Sequence, residues 1–147
     1  MAIYEIKYSR NRVSRDLPQP LTNANTACRY LMKYAFDAKE MWREKAVAVF
    51  LDHKKIPLGH TVISTGTNKA CFIDKKVIAK AALDSMADSV ILAHNHTGGD
   101  PKPGSADVKE TAALRNALAT LDIELVDHII LTEKNFFSFA EEECINI

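Results

Sequence analysis

An apolar run, Ser89-Val90-Ile91-Leu92-Ala93, leads straight into His94-Asn95-His96, and after it the chain can continue neither as strand nor as helix. The run reads as a short buried strand. The next segment, Thr97-Gly98-Gly99-Asp100-Pro101-Lys102-Pro103-Gly104, is too rich in glycine and proline for either regular structure, so it is expected to turn back as a loop. On a strand, residues i and i+2 point the same way, which lets His94 and His96 address one point. Asp107 then falls in the first turn of the helix expected to follow. Two imidazoles and a carboxylate where a strand ends make a ligand set for a catalytic zinc, with a fourth position left open. A metal so held brings the pKa of a water to about 7 and polarises a carbonyl, the two requirements of amide hydrolysis.

The rest of the chain alternates between the two periods. Residues 2 to 8 read as an edge strand, and Asn11 to Pro20 as a polar connector. From Thr22 to about Lys39, Ala27, Tyr30, Leu31, Tyr34 and Ala35 recur at helical spacing, with Thr22 or Asn23 as cap. Lys45 to Leu51 and Leu58 to Ser64 read as strands joined by the turn Asp52-His53-Lys54-Lys55, hence a hairpin. Asp74 caps a helix whose face carries Val77, Ile78, Ala81, Ala82 and Met86. After the loop, Ser105 precedes an amphipathic helix from Val108 to Leu121, with Ala112, Leu114, Leu118 and Leu121 apolar. Ile123 to Leu131 reads as a strand, and Asn135 to Ala140 as a last short one. The expected fold class is α/β, a single domain with a mixed sheet and helices packed against it.

Composition narrows the partners. The 19 basic and 19 acidic side chains balance within 147 residues, so the chain as a whole has no long-range attraction for nucleic acid or an anionic membrane. Lys7, Arg10, Arg12 and Arg15 near the start, and Glu141, Glu142 and Glu143 near the end, read as solvated terminal segments. No apolar run approaches the roughly 18 residues of a membrane span, and no signal segment opens the chain. Cys28, Cys71 and Cys144 stand far apart with no C-x-x-C pair, which indicates neither a disulfide framework nor a thiolate metal site and suits a reducing cytoplasm. Cys71 reads either as a nucleophile or as a small buried hydrophobe. His53 and His60, taken singly, read as structural.

Hydrolysis also needs a base that takes a proton from water and returns it to the leaving amine. Glu44, which opens the strand Lys45 to Leu51, can enter a cleft at the sheet's edge. Ile91-Leu92-Ala93-His94-Asn95-His96, then Gly99-Asp100-Pro101 and Pro103, then Asp107, resembles the RadC-like branch of the JAB/MPN metalloprotease-fold domains. Glu44 with Phe50-Leu51-Asp52, the turn Gly66-Thr67, and Val126-Asp127-His128-Ile129-Ile130 are similar to further marks of that family. Residues 40 to 140 are covered. The resemblance implies a zinc site of His94, His96 and Asp107, with Glu44 as acid/base, on a curved mixed sheet flanked by helices in the layered manner of cytidine deaminases. It also divides the chain into residues 1–40, a strand, connector and helix packed on the domain, and 41–147, the metal-binding domain.

Three positions depart from the family pattern. Thr97-Gly98 stands where Pro-Ser is usual. Gly104 stands where the family has a serine that holds the oxyanion, and Ser105 follows it; Ser105 reads either as that donor or as the helix cap. Gly59-His60-Thr61-Val62 holds no acid in the second strand, which leaves Glu44 as the upstream base. His128, after Asp127, reads either as a group that orients a ligand or as a core histidine bonded to Asp127. Lys102 and Lys109 read as solvated.

The expected function is a zinc-dependent hydrolase cleaving an amide or isopeptide bond in a protein or peptide. The alternatives are a DNA-repair-associated factor, since relatives similar to RadC carry that label, and a metal-binding scaffold without catalysis. The first of these is disfavoured by the balanced charge and by the absence, before Glu44, of the helix-hairpin-helix pattern of longer family members.

Overall fold

The computed structural model describes residues 19–142. The expected strand at residues 2 to 8, the four basic residues near the start, Glu143 and Cys144 lie outside them. The described chain runs α1 (Ala24–Tyr34), β1 (Lys45–Leu51), β2 (Pro57–Thr65), α2 (Lys75–Asp84), β3 (Ser89–Asn95), α3 (Ser105–Ala119), β4 (Glu124–Leu131) and β5 (Phe136–Ser138). The strands form one mixed sheet in the order β2-β1-β3-β4-β5. β1 pairs antiparallel with both β2 and β3, and β3 pairs parallel with β4 through the α3 crossover.

Alternation along the central strands, interrupted in β4, sends side chains to two cores. Val47, Val49, Leu51, Ile91, Ala93, Ile129 and Leu131 meet Ala27 and Leu31 of α1 on one side. Ala46, Ala48, Phe50, Val90, Leu92 and Leu125 meet Ile78 and Ala82 of α2 and Leu114 and Leu118 of α3 on the other. Burying a side chain such as Leu31 or Leu114 completely contributes about 1.5–3 kcal/mol relative to leaving it in water. The result is a sheet covered on both faces, as the sequence predicts. Among the described residues no helix is long and apolar enough to cross a membrane.

Several boundaries differ from expectation, each for a local reason. Asn23 caps α1, accepting from Thr26 N–H at 2.9 Å, but the helix stops at Tyr34 rather than near Lys39. The N–H groups of Ala35 and Phe36 both bond to Leu31 O, and Asp37 in extended conformation caps a separate 3₁₀ turn at Ala38–Glu40, which lets Phe36 enter the core. In α2, capped by Asp74, Ile78 and Ala82 face inward while Val77 is exposed. Met86 lies past the helix with φ 55° and its side chain in water. In α3, Leu114 and Leu118 are buried with Thr111, whereas Ala112 and Leu121 are exposed. β4 carries an irregularity that alternation does not foresee: Val90 pairs with Leu125 and Ile91 with Asp127, so Val126 has no partner on β3.

Candidate metal centre

β3 delivers His94 and His96 to the α2/α3 side of the sheet, the face that also receives Val90 and Leu92. α3 starts where the loop returns, with Asp107 in its first turn. The three expected ligands therefore meet. His94 Nε2 lies 3.0 Å from His96 Nε2 and 3.2 Å from Asp107 Oδ1, and His96 Nε2 lies 3.4 Å from Asp107 Oδ2. Their ligand atoms all fall within 4.8 Å of one another, a group that could hold a metal ion. His94 is buried; His96 and Asp107 are half-buried, leaving one side of the cluster open.

The loop has a reason for its composition. Gly99, with φ 82°, takes a turn that side chains resist, and this brings the Asp100 carbonyl to His96 Nδ1 at 3.1 Å. Thr97 ties the loop down from the other side, its hydroxyl donating to Asn68 O at 2.7 Å. At the end of the loop Gly104, not Ser105, is the helix cap, and the Asp107 carboxylate accepts from Gly104 N–H at 2.8 Å. Capping by Ser105 is thereby corrected: it is the first residue of the helix, exposed, and its hydroxyl is bonded to nothing among the described residues.

Glu44 sits one residue before β1, half-buried. Ala46 pairs with His94, so the antiparallel register carried two residues outward sets Glu44 opposite His96 on the same face. Its own backbone is clamped by the Gly-Thr turn: Glu44 N–H donates to Thr67 O and Gly66 N–H donates to Glu44 O, both at 2.8 Å. Thr67 N–H in turn bonds to Ala70 O, whose approach is so close that a Cβ on Gly66 would lie 1.9 Å from that oxygen. Gly66→Ala is therefore expected to cost about 1–3 kcal/mol by overpacking. Chemical denaturation reads it, and a midpoint equal to wild type would contradict the close approach.

Asn95, between the two histidines, was not singled out by the sequence reading. Alternation turns it to the opposite face, where it is 1% exposed and accepts from Lys45 N–H at 2.7 Å while donating to Arg43 O at 2.9 Å. It thus staples the chain on both sides of Glu44. A polar residue that ends a strand buried on both faces, between two histidines, was the signal.

The His128 ring bonds His94, one of the expected ligands, and Thr111, and does not bond Asp127. Its Nε2 lies 2.7 Å from His94 Nδ1, its Nδ1 lies 2.5 Å from Thr111 Oγ1, and its ring stacks on Phe139 at 4.8 Å and 5°. Asp127 instead accepts from Ser138 Oγ and Ala140 N–H on the far side. His60 accepts or donates at Tyr30 OH, remote from the cluster, as a structural histidine does.

The electrostatics follow from this packing. Burial raises the Asp107 carboxyl, but the His94 and His96 rings beside it and the Gly104 N–H that it accepts outweigh this and hold the group well below the usual carboxylate range. The bond to Asp107 raises the His96 ring, and burial, reinforced by His94, pushes His128 well below ordinary imidazole. Burial, followed by the charges of Glu44 and Asp107, pushes the Cys71 thiol up to about 12, which removes it as a nucleophile. These shifts give the metal-free protein a stability maximum near pH 6.5. Below about pH 6.5 an unfolded His128 binds a proton that the fold refuses, so stability falls with acidification by up to about 1.4 kcal/mol per pH unit. His96 acts in the opposite sense: its contribution is complete below about pH 6.5 and is lost as pH rises through its raised value. Urea midpoints measured from about pH 5 to 8 check this; midpoints still climbing below pH 6 would contradict it.

A cleft of about 330 Å³ opens beside His96, with Met41, Gly98, Gly99, Thr132 and Lys134 among its walls. A larger hollow of about 460 Å³ lies between the end of α3 and the start of β4, lined by Arg115, Ile123 and Leu125, and contains none of the cluster. Of the two, the smaller one adjoins the cluster. Lys102 and Lys109 are exposed, as expected.

The profile of the RadC-like JAB domain matches residues 21–144. A UPF0758 protein of Chlorobaculum parvum is 30% identical over 144 residues, covering 98% of this chain and 63% of the relative. One of Aquifex aeolicus is 37% identical over 111 residues, 76% of this chain and 47% of the relative. One of Chlorobaculum tepidum is 40% identical over 99 residues, 67% of this chain and 45% of the relative. The chain spans about half the length of the curated relatives it matches.

Proposed function

The chain belongs to the RadC-like JAB domain family, and from that premise we propose that it is a zinc-dependent hydrolase of amide or isopeptide bonds in peptides or proteins. The observation that carries this reading is the convergence of two imidazole nitrogens 3.0 Å apart with the Asp107 carboxylate, whose Oδ1 lies 3.2 Å from His94 Nε2 and whose Oδ2 lies 3.4 Å from His96 Nε2. Tetrahedral zinc with bonds of about 2.0–2.2 Å sets neighbouring ligand atoms about 3.3 Å apart. Imidazole nitrogen and carboxylate oxygen are also the donors zinc takes at sites with an open position. When bound, zinc supplies an acidified water and a Lewis acid for the scissile carbonyl.

The chain's own residues supply the rest. Glu44, on the ligand face and opposite His96, accepts the proton of the attacking water and passes it to the leaving nitrogen. Asp100 O holds His96 through Nδ1, which keeps Nε2 directed at the cluster. The Ser105 hydroxyl, two residues before Asp107 and bonded to no other group among the described residues, is the donor available to the developing oxyanion. The cleft beside His96 takes the substrate chain on one side of the scissile bond.

Metal analysis joined to a cleavage assay tests the proposal. Wild-type protein is expected to take up one zinc per chain and to cleave members of a library of peptide and isopeptide-linked substrates. His94→Ala is expected to weaken zinc binding by more than the roughly 100-fold that outer contacts alone cost, and to abolish cleavage. Absence of zinc uptake sinks the metal site. Tight zinc with no turnover across the library sinks the hydrolase and leaves a scaffold.

A further inference from the structure

We propose that Thr111 and His128 are positioning residues that fix the proton of His94 on Nδ1 and so reserve its Nε2 for the metal, an inference that rests on the zinc-site reading above. The geometry forces the direction of the chain of hydrogen bonds. Asp107 O, a carbonyl, can only accept, and Thr111 Oγ1 lies 2.6 Å from it. The single hydroxyl proton of Thr111 is spent there. At 2.5 Å from His128 Nδ1, the same oxygen must then accept, which places the proton of His128 on Nδ1. His128 Nε2 is left with a lone pair, and at 2.7 Å from His94 Nδ1 it accepts in turn. His94 therefore carries its proton on Nδ1 and presents a bare Nε2 to His96 and Asp107.

The relay closes a ring through three elements. It starts at the main chain of one ligand, Asp107 on α3, passes through β4, and ends at the side chain of another ligand, His94 on β3. None of its links is open to water: Thr111 is 3% exposed, His128 0% and His94 2%. Phe139, stacked flat on His128, resists rotation of that ring, and its N–H donates to His128 O at 3.0 Å. A carboxylate usually fixes the tautomer of a metal-binding histidine; here a neutral histidine does so, backed by a threonine that bonds one turn back along its helix.

Thr111→Val and Thr111→Ser separate the hydroxyl from the shape. Zinc dissociation constants are read by competition with a chromophoric chelator. Thr111→Val is expected to bind zinc about 10- to 100-fold more weakly than wild type, and Thr111→Ser, which keeps the hydroxyl, to stay close to wild type. Two-bond ¹⁵N–¹H correlation spectra of the zinc-loaded wild type are expected to show His128 and His94 each protonated on Nδ1. That measurement needs no variant, so poor folding of Thr111→Val does not leave the relay beyond test. Equal zinc affinity in Thr111→Val and Thr111→Ser, or a His128 protonated on Nε2, overturns the relay while the zinc site stands. A wild type that takes up no zinc overturns the site reading, and the relay with it.

Discussion

Glu44→Gln is expected to leave zinc affinity close to wild type and to lower kcat/KM by about 100- to 10,000-fold, the range that a positioned general acid/base contributes. Glutamine keeps the size and the reach of the side chain but cannot take up a proton at neutral pH. The carboxylate lies outside the His94, His96 and Asp107 group, so its loss leaves the ligand atoms in place. Its backbone is held by Gly66 and Thr67 irrespective of the side chain, and the variant should fold as wild type does. Two results would overturn the assignment. Turnover that survives the change removes Glu44 as the base, and zinc affinity that collapses makes it a ligand.

Asn95→Ala strikes the same base without touching it. The substitution takes the partner from Lys45 N–H, at the start of β1, and from Arg43 O, two residues before it, both half-buried, at about 1–3 kcal/mol for each group that stays shielded from water. A stability loss of about 2–5 kcal/mol is expected from denaturation. It also frees the residues on either side of Glu44, and a displacement of about 1 Å at a catalytic group can cost on the order of 100-fold in rate. The expected signature is a fall in kcat, measured where the variant remains folded, with zinc affinity little changed, because His94 and His96 point to the other face. A variant that loses stability alone, with kcat per folded molecule intact, would make Asn95 purely structural.

How far the sequence reveals this centre depends on how regular each strand is. In β3 alternation is unbroken, so the joint orientation of His94 and His96 could be read from spacing, and the glycine-proline loop announced the return of Asp107. The hairpin of β1 and β2 was legible from two β-rich runs joined by the turn Asp52-His53-Lys54-Lys55, although its register carries irregularities that the sequence does not announce. In β4 the unpaired Val126 resets the alternation, so Leu125 and His128, three residues apart, share the α3 side. A regular strand would have put His128 on the opposite face. Its two readings could not be resolved without the bulge. Thr111, one helical turn after Asp107, is the spacing that puts two side chains on one helix face, yet threonine on a helix carries no chemical signature by itself. The end of α1 was misjudged because a helix can stop on hydrogen bonds to one carbonyl, Leu31 O, that no residue type announces. Capping by Ser105, one of its two readings, was offered because serine favours that place, while the carboxylate of Asp107 accepts from the Gly104 N–H instead.

The flat stacking of Phe139 on His128 also says when the centre can be finished. Its last expected ligand, Asp107, emerges from the ribosome well before residue 139, yet the His128 ring beside His94 gains its stacking partner only once the turn after β4 has folded back. The order in which the centre matures is thus set by contact and not by position along the chain. A nascent chain halted between β4 and β5 would carry the three expected ligands and the Thr111 bond to His128, but not the ring that stacks on that histidine.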